Sequence, residues 1–158
     1  MAAGAAAGLL LREARPADVP ALMAIEQMCF DAPVAFSRRR IRNLIANPRV
    51  FTSVAVVDQS VAGWAVGLVR RHNSYRSGRL YNLAIDTAAR GRGVGRCLLD
   101  HLLACFARVG VKHVFLEVEA GNTAAIALYK RCGFTQVRTL SDYFGPGRPG
   151  ISMRRMIA

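Results

Sequence analysis

The stretch Arg90-Gly91-Arg92-Gly93-Val94-Gly95-Arg96 sets three glycines and three arginines between a strand-like run, Leu80 to Asp86, and a helix-like run, Cys97 to Arg108. Backbone N–H groups at such a junction, backed by the helix dipole and ringed by cations, form an anion-binding nest, so the chemistry on offer is to hold a phosphate. A Rossmann fingerprint would need G-x-G-x-x-G; counted from Gly91, its last glycine is replaced by Arg96. The Gly-Lys-Ser/Thr of a P-loop is absent as well. The stretch does fit Arg-x-x-Gly-x-Gly at Arg90, Gly93 and Gly95, where glycine lets a pyrophosphate approach the main chain. The alternative is an ordinary glycine-rich turn.

A second set of reactive residue types follows. In Val114-Phe115-Leu116-Glu117-Val118-Glu119, strand alternation puts Val114, Leu116 and Val118 on one face and Phe115, Glu117 and Glu119 on the other. A carboxylate among β-branched and aromatic neighbours can act as a general base; the plain alternative is a solvated strand face or an ion pair with one of the many arginines. Asn122 is a good helix N-cap, and Tyr129 stands two helical turns beyond it on nearly the same face. A phenol there is a candidate proton donor, against the commoner use of a lone tyrosine at the edge of a core.

The elements that position these residues are legible from periodicity. Leu9 to Glu13 reads as a strand. Asp18 is expected to cap a helix from Val19 to Cys29 with Pro20 in its first turn, burying Ala21, Leu22, Ile25, Met28 and Cys29 as one stripe. Ser37 is expected to cap a second helix, Arg38 to Ala46. Its Arg38-Arg39-Arg40 run is a solvated first turn or, since cations there oppose the dipole, a meeting point for an acidic partner. Phe51 to Val57 and Val61 to Val69 are strands joined by a tight hairpin at Asp58-Gln59-Ser60. The strand from Leu80 leads into a helix, Val94 to Val109, stopped by Gly110. Strand His113 to Glu119, helix Asn122 to Cys132 ended by Gly133, and strands Phe134 to Leu140 and Ile151 to Ile157 complete the order β-α-α-β-β-β-α-β-α-β-β. Few crossover helices mean an α+β, or mixed α/β, domain rather than a doubly wound sheet.

The chain has 158 residues, 53% of them hydrophobic and 20% charged, which suits one globular domain with a single core. Residues 1–8 are expected as a flexible N-terminal tip and 9–158 as the domain. No apolar run is long enough to span a bilayer, and the Ala-rich start lacks the basic segment of a signal peptide. The net charge of +12 is nearly all arginine, Lys112 and Lys130 being the only lysines. That implies polyanionic company, such as nucleic acid, a ribosome, a membrane surface or a phosphorylated cofactor, or else an arginine-biased composition. The four cysteines, Cys29, Cys97, Cys105 and Cys132, form no C-x-x-C and are expected as buried free thiols in a reducing compartment. His72, His101 and His113 lack ligand spacing, so no metal site is expected.

In order and spacing, these pieces resemble the GCN5-related N-acetyltransferases (GNAT family), and within them the ribosomal-protein-alanine, RimI-type enzymes. The likeness runs from about Leu11 to Ile157. It is carried by Tyr81-Asn82-Leu83-Ala84-Ile85-Asp86, Arg90 to Arg96, Leu116-Glu117-Val118, and Asn122-x-Ala124-Ala125-Ile126-Ala127-Leu128-Tyr129-x-x-x-Gly133-Phe134. The resemblance implies a mixed, mostly antiparallel sheet with a splayed strand pair and flanking helices. It implies acetyl-coenzyme A as co-substrate and no metal. The pyrophosphate would lie on the N–H groups of Gly91, Arg92, Gly93, Val94, Gly95 and Arg96, behind Arg90. The pantetheine arm would lie along Leu83, Ala84 and Ile85, with an N–H near Ile85 facing the thioester oxygen and Asn122 bonded to the arm. Glu117 would take a proton from the attacking amine, directly or through water, and Tyr129 would protonate the leaving thiolate.

Departures from the family's pattern bear on the acceptor. Glu119 stands where the RimI-type enzymes carry a basic residue, and Gly121 where they commonly carry Ser. Two acids side by side are expected to attract a cationic substrate, with Glu119 as a contact. Tyr143, in the Gly/Pro-rich loop Asp142 to Gly150, is a second candidate contact, while the other substrate region, Phe30 to Ser37, matches poorly. The expected activity is acetyl transfer by direct attack in a ternary complex onto a protein N-terminal α-amine, such as that of a ribosomal protein. The setting would be the cytoplasm, without membrane attachment, and the enzyme a monomer or homodimer able to visit ribosomes. A polyamine or other small molecule, or a lysine, is the alternative acceptor. A nucleic-acid-binding module and a non-catalytic acetyl-coenzyme A sensor are the rivals from other classes.

Overall fold

The computed structural model describes residues 8–157. Of the expected flexible tip, residues 1–7 lie outside the described residues. Among the described residues seven strands form one sheet: β1 (Leu9–Glu13), β2 (Val50–Val57), β3 (Ser60–Arg71), β4 (Arg76–Ile85), β5 (Val111–Glu119), β6 (Thr135–Leu140) and β7 (Gly150–Met156). Four α-helices accompany them among the described residues: α1 (Val19–Cys29), α2 (Arg38–Ala46), α3 (Val94–Arg108) and α4 (Thr123–Arg131). The sheet order is β1-β2-β3-β4-β5-β7-β6, and every neighbouring pair is antiparallel except β4 and β5. The α+β expectation and the element order therefore hold.

Each face of the sheet has its own core, because the strands alternate apolar residues onto both. On one face α1 and α2 bury Leu22, Ile25 and Ile41 against Val54, Trp64, Val66 and Ala84. On the other, Leu98, Leu99, Leu102 and Phe106 of α3 lie against Ala55, Ala65, Leu80, Val114 and Leu116. Fully burying one such leucine contributes about 1.5–3 kcal/mol, so these two stripes outweigh any single polar contact in holding the helices down.

Local signals set most boundaries. Asp58 and Gln59 both have positive φ, at 50° and 68°, the backbone of a two-residue hairpin turn. The Ser37 hydroxyl accepts from the Arg40 N–H at the start of α2, and the Asn122 side chain accepts from the Ala125 N–H at the start of α4. Gly110, at φ 80°, follows the end of α3.

Asp18 is a correction. Its side chain makes no cap bond to α1. It closes the single-turn helix Pro16–Asp18 by accepting from the Arg15 N–H at 2.7 Å, and it binds the Arg12 guanidinium through two bonds of 2.8 and 2.9 Å. The stripe of α1 is a second correction: Met28 is 45% exposed and Glu26 is fully buried. The cysteines are a third. All four are free, but only Cys105 and Cys132 are buried; Cys29 and Cys97 are half-buried.

The sheet's central feature is a gap. β4 and β5 pair only from Arg76↔Val111 to Arg79↔Phe115. Just past that point Tyr81 is an extra residue in β4, skipped between the Val66↔Asn82 and Gly67↔Leu80 partners. A bulge bends its strand and increases the twist, and here it swings the remainder of β4 away from β5, which continues paired to β7 alone. β4 also begins earlier than its hydrophobic run. Its polar start is held down because Gly78 lies on the Phe106 ring, so closely that a Cβ there would come within 2.9 Å.

Candidate functional site

The gap between β4 and β5 opens into a cavity of about 360 Å³ that passes through the sheet. From the α3–α4 side it is lined by Asn122, Ala125 and Tyr129 with Leu116 and Val118 of β5; from the α1–α2 side by Phe36, Tyr81, Arg79, Glu117, Glu119 and Tyr143. Strand alternation produces this division. Consecutive residues of β5 point to opposite faces, so apolar residues and carboxylates from one strand line opposite mouths of one passage.

On the α3–α4 side, Tyr129 is buried, and that burial pushes its phenol pKa well above the ordinary tyrosine value. The hydroxyl therefore stays protonated at neutral pH. The first turn of α3 lies beside this mouth. Gly95 is packed so near α4 and the end of β4 that a Cβ on it would meet Leu128 at 3.3 Å and Ile85 at 3.7 Å. Gly91 and Gly93 have φ of 76° and 77°, and a Cβ on either would meet nothing within 4 Å, so conformation, not crowding, calls for glycine there. The N–H groups of that first turn have no acceptors within the helix.

Of the loop's arginines, Arg92 and Arg96 are exposed, and Arg96 pairs with Asp100 at 3.3 Å one turn on. Arg90, exposed as well, donates to the Ile85 carbonyl and the Cys29 sulfur, each at 3.3 Å. These contacts tie the loop to the ends of β4 and α1. Leu83 lines the cavity; Ala84 and Ile85 continue the same strand, Ala84 buried against the Trp64 side and Ile85 packed toward α3.

On the α1–α2 side the two carboxylates do not stand free. Glu117 is paired with Arg79 at 2.8 Å, and Arg79 also donates to the Tyr143 hydroxyl at 3.0 Å. Arg148 grips Glu119 through two bonds of 2.8 and 2.9 Å and reaches Asp31 at 3.3 Å. The Arg148 hydrogen bonds hold the Glu119 carboxyl below the usual carboxylate range. The pair of acids expected to draw a cationic substrate is thus largely neutralised by two arginines.

The structure brings Glu117, Glu119, Asn122, Tyr129, Tyr143 and Leu83 to one cavity. It adds residues that sequence reasoning missed. Arg79 and Arg148 are two cations among 22, with no pattern to single them out. Phe36 and Asp31 come from the segment that matches the family poorly. Behind this wall lies Glu26. One carboxylate oxygen accepts from the Trp64 indole N–H at 3.0 Å and from the Asn82 amide, and the other from the Phe36 N–H at 3.1 Å. Burial raises its pKa, the three hydrogen bonds opposing only in part. Its place one helical turn beyond Leu22 and next to Ile25, an acid at core spacing, is the signal that could have found it. Among the described residues no cluster of three or more His, Cys, Asp or Glu could hold a metal ion, and no helix is long and apolar enough to cross a membrane.

Chemically, the passage can receive one reactant from each face of the sheet, with a proton acceptor and a proton donor at opposite mouths. Residues 19–134 match the model of the acetyltransferase (GNAT) family. Over 65 residues, 41% of this chain and 44% of the relative, the chain is 42% identical to the [ribosomal protein bS18]-alanine N-acetyltransferase of Escherichia coli strain K12. Over 149 residues, 90% of this chain and 47% of the relative, it is 30% identical to the mycothiol acetyltransferase of Propionibacterium freudenreichii. The matched stretch thus spans less than half the length of either curated relative. The crystal structure of the ribosomal-protein-alanine N-acetyltransferase from Brucella melitensis superposes with a TM-score of 0.81 at 28% identity, covering 94% of this chain and 99% of that one.

Proposed function

This chain belongs to the acetyltransferase (GNAT) family, and on that premise we propose that it transfers acetyl from acetyl-coenzyme A to the N-terminal α-amine of a protein, a ribosomal protein being the first candidate. The observation that carries the reading is the passage through the sheet, with the Glu117 carboxylate at one mouth and the buried Tyr129 phenol at the other. The residues present fit the co-substrate: β4 runs on beyond its last β5 partner, and the glycine-built start of α3 lies beside that end of the strand. Acetyl-coenzyme A supplies an activated acyl thioester when bound.

This chain's residues would do the rest. The N–H groups from Gly91 to Arg96 would hold the pyrophosphate, Leu83, Ala84 and Ile85 would present the strand edge to the pantetheine arm, and Asn122 would bond that arm. Glu117 would accept the amine's proton, directly or through water. An α-amine has a pKa of about 7.7–8.0 and must lose a proton before it attacks. Tyr129, kept protonated by burial, would donate to the departing sulfur. Glu119 and Tyr143 would line the acceptor's path. Holding both reactants in one passage supplies much of the acceleration, and no enzyme nucleophile is needed. The cytoplasm is the setting proposed, in keeping with four free thiols.

The match to mycothiol acetyltransferases supports a second reading, a small-molecule amine. Turnover of acetyl-coenzyme A against N-terminal peptides, polyamines and lysine peptides separates the two. Activity confined to peptides with a free α-amine supports the first reading, and activity confined to small amines overturns it. Cofactor binding without turnover of any amine leaves a sensor.

A further inference from the structure

The strand face that carries Glu117 continues toward the start of β5, carrying Phe115 and His113 at alternate positions. Arg79 stands beside Phe115 on β4, and Arg154 beside it on β7. A second cavity, of about 210 Å³, opens there between Tyr75, His113, Phe115 and Arg154. Tyr75 is held upright by stacking on His72 at 4.3 Å, and the imidazole of His72 is fixed by the Ser77 hydroxyl at 2.8 Å. The Arg154 side chain enters no ion pair among the described residues. The Nδ1 of His113 is buried without a hydrogen-bond partner. None of the four lining residues is acidic.

We infer that this cavity is a subsite for an acidic side chain of the acceptor polypeptide, three to five residues from its amino terminus. The inference rests on the protein-acceptor reading above. Position follows from strand geometry: at about 3.3 Å per residue, Phe115 and His113 lie roughly 7 and 13 Å along β5 from Glu117. An extended acceptor with its amine at Glu117 brings its third to fifth side chains over that interval. Charge follows from the lining. A carboxylate would accept from the Arg154 guanidinium, which no ion pair occupies among the described residues. A lysine would meet only cationic or neutral partners.

The test uses seven-residue peptides sharing their first two residues, with Glu, Gln or Lys placed in turn at positions three, four and five. At one of these positions Glu is expected to give a KM about tenfold below that for Lys, the equivalent of one charge-assisted hydrogen bond. Arg154→Glu is expected to invert the preference, and Arg154→Met to abolish it. An inverted preference cannot come from general damage to the fold, and Tyr75→Ala, expected to weaken the preference without changing charge, serves if the Arg154 variants do not fold. Peptides acetylated without preference, or with a preference unmoved by these variants, overturn the subsite alone. Transfer to no peptide, with polyamines acetylated, overturns the protein-acceptor reading and the subsite with it.

Discussion

The two mouths of the passage are built by different means. The α3–α4 side is made of main chain and apolar packing: glycines of positive φ before α3, an Asn122 cap and a buried phenol. The α1–α2 side is made of side-chain charges paired across the fold, Arg79 with Glu117 and Arg148 with Glu119. Each construction absorbs a different kind of change. Backbone geometry tolerates new side chains that leave φ alone, whereas a paired-charge wall depends on each partner and can be retuned by one substitution.

Substitutions on either side put this contrast to the test. The largest effect is expected at Glu117. Glu117→Gln keeps the shape and removes the proton acceptor, so kcat/KM should fall by about 100-fold or more while thermal unfolding is nearly unmoved. Full activity retained across pH would remove Glu117 from the chemistry and leave its pair with Arg79 a structural one.

Next comes the support behind the charged wall. Glu26→Gln turns an acceptor of three N–H groups into a side chain with an amide donor facing one of them, a cost of about 1–3 kcal/mol by denaturant unfolding. Here the pH sign is informative. Burial raises the Glu26 pKa in the fold, so its stabilising contribution is complete below the ordinary carboxylate range and is lost as pH rises through the folded value. Melting temperature followed against pH should show that loss in the parent and a flatter profile in Glu26→Gln.

The main-chain side is probed by Gly93→Ala. With φ at 77° and no neighbour within 4 Å of a Cβ placed there, the cost is backbone strain alone, about 1–2 kcal/mol, together with a raised Kd for acetyl-coenzyme A. Gly121→Ala, at ordinary φ and in open space, is the control and should leave that Kd unchanged. Calorimetric titration reads both. The smallest effect is expected from Asp100→Ala. It removes an exposed pair one turn apart on α3, worth no more than about 0.5 kcal/mol, and a larger loss would mean that side-chain charge matters on this side too.

Much of the α3–α4 side is legible in the sequence, because its signals are local. A glycine loop before a helix, an N-cap three residues ahead of the N–H it satisfies, and a tyrosine two turns later each act within a few positions. The alternation that sends Glu117 and Val118 to opposite faces is local too. Asp18 and Glu26 show the limit. Local pattern makes Asp18 a helix cap and leaves Glu26 out of the apolar stripe. Both are taken by partners that local pattern does not mention: Arg12 for one, and Phe36, Trp64 and Asn82 for the other.

The order of elements, the phosphate-suited loop and the strand and helix that carry Glu117, Asn122 and Tyr129 are therefore written in the chain. They follow from periodicity and from hydrogen bonds that close over short stretches. Where β4 parts from β5 is settled only on folding. So is the choice of Arg79, 64 residues from Tyr143, to bond that hydroxyl while pairing with Glu117. A basic chain offers each carboxylate many arginines of equal chemistry. Which one it meets depends on how the sheet twists and where a bulge falls, and those are properties of the packed molecule.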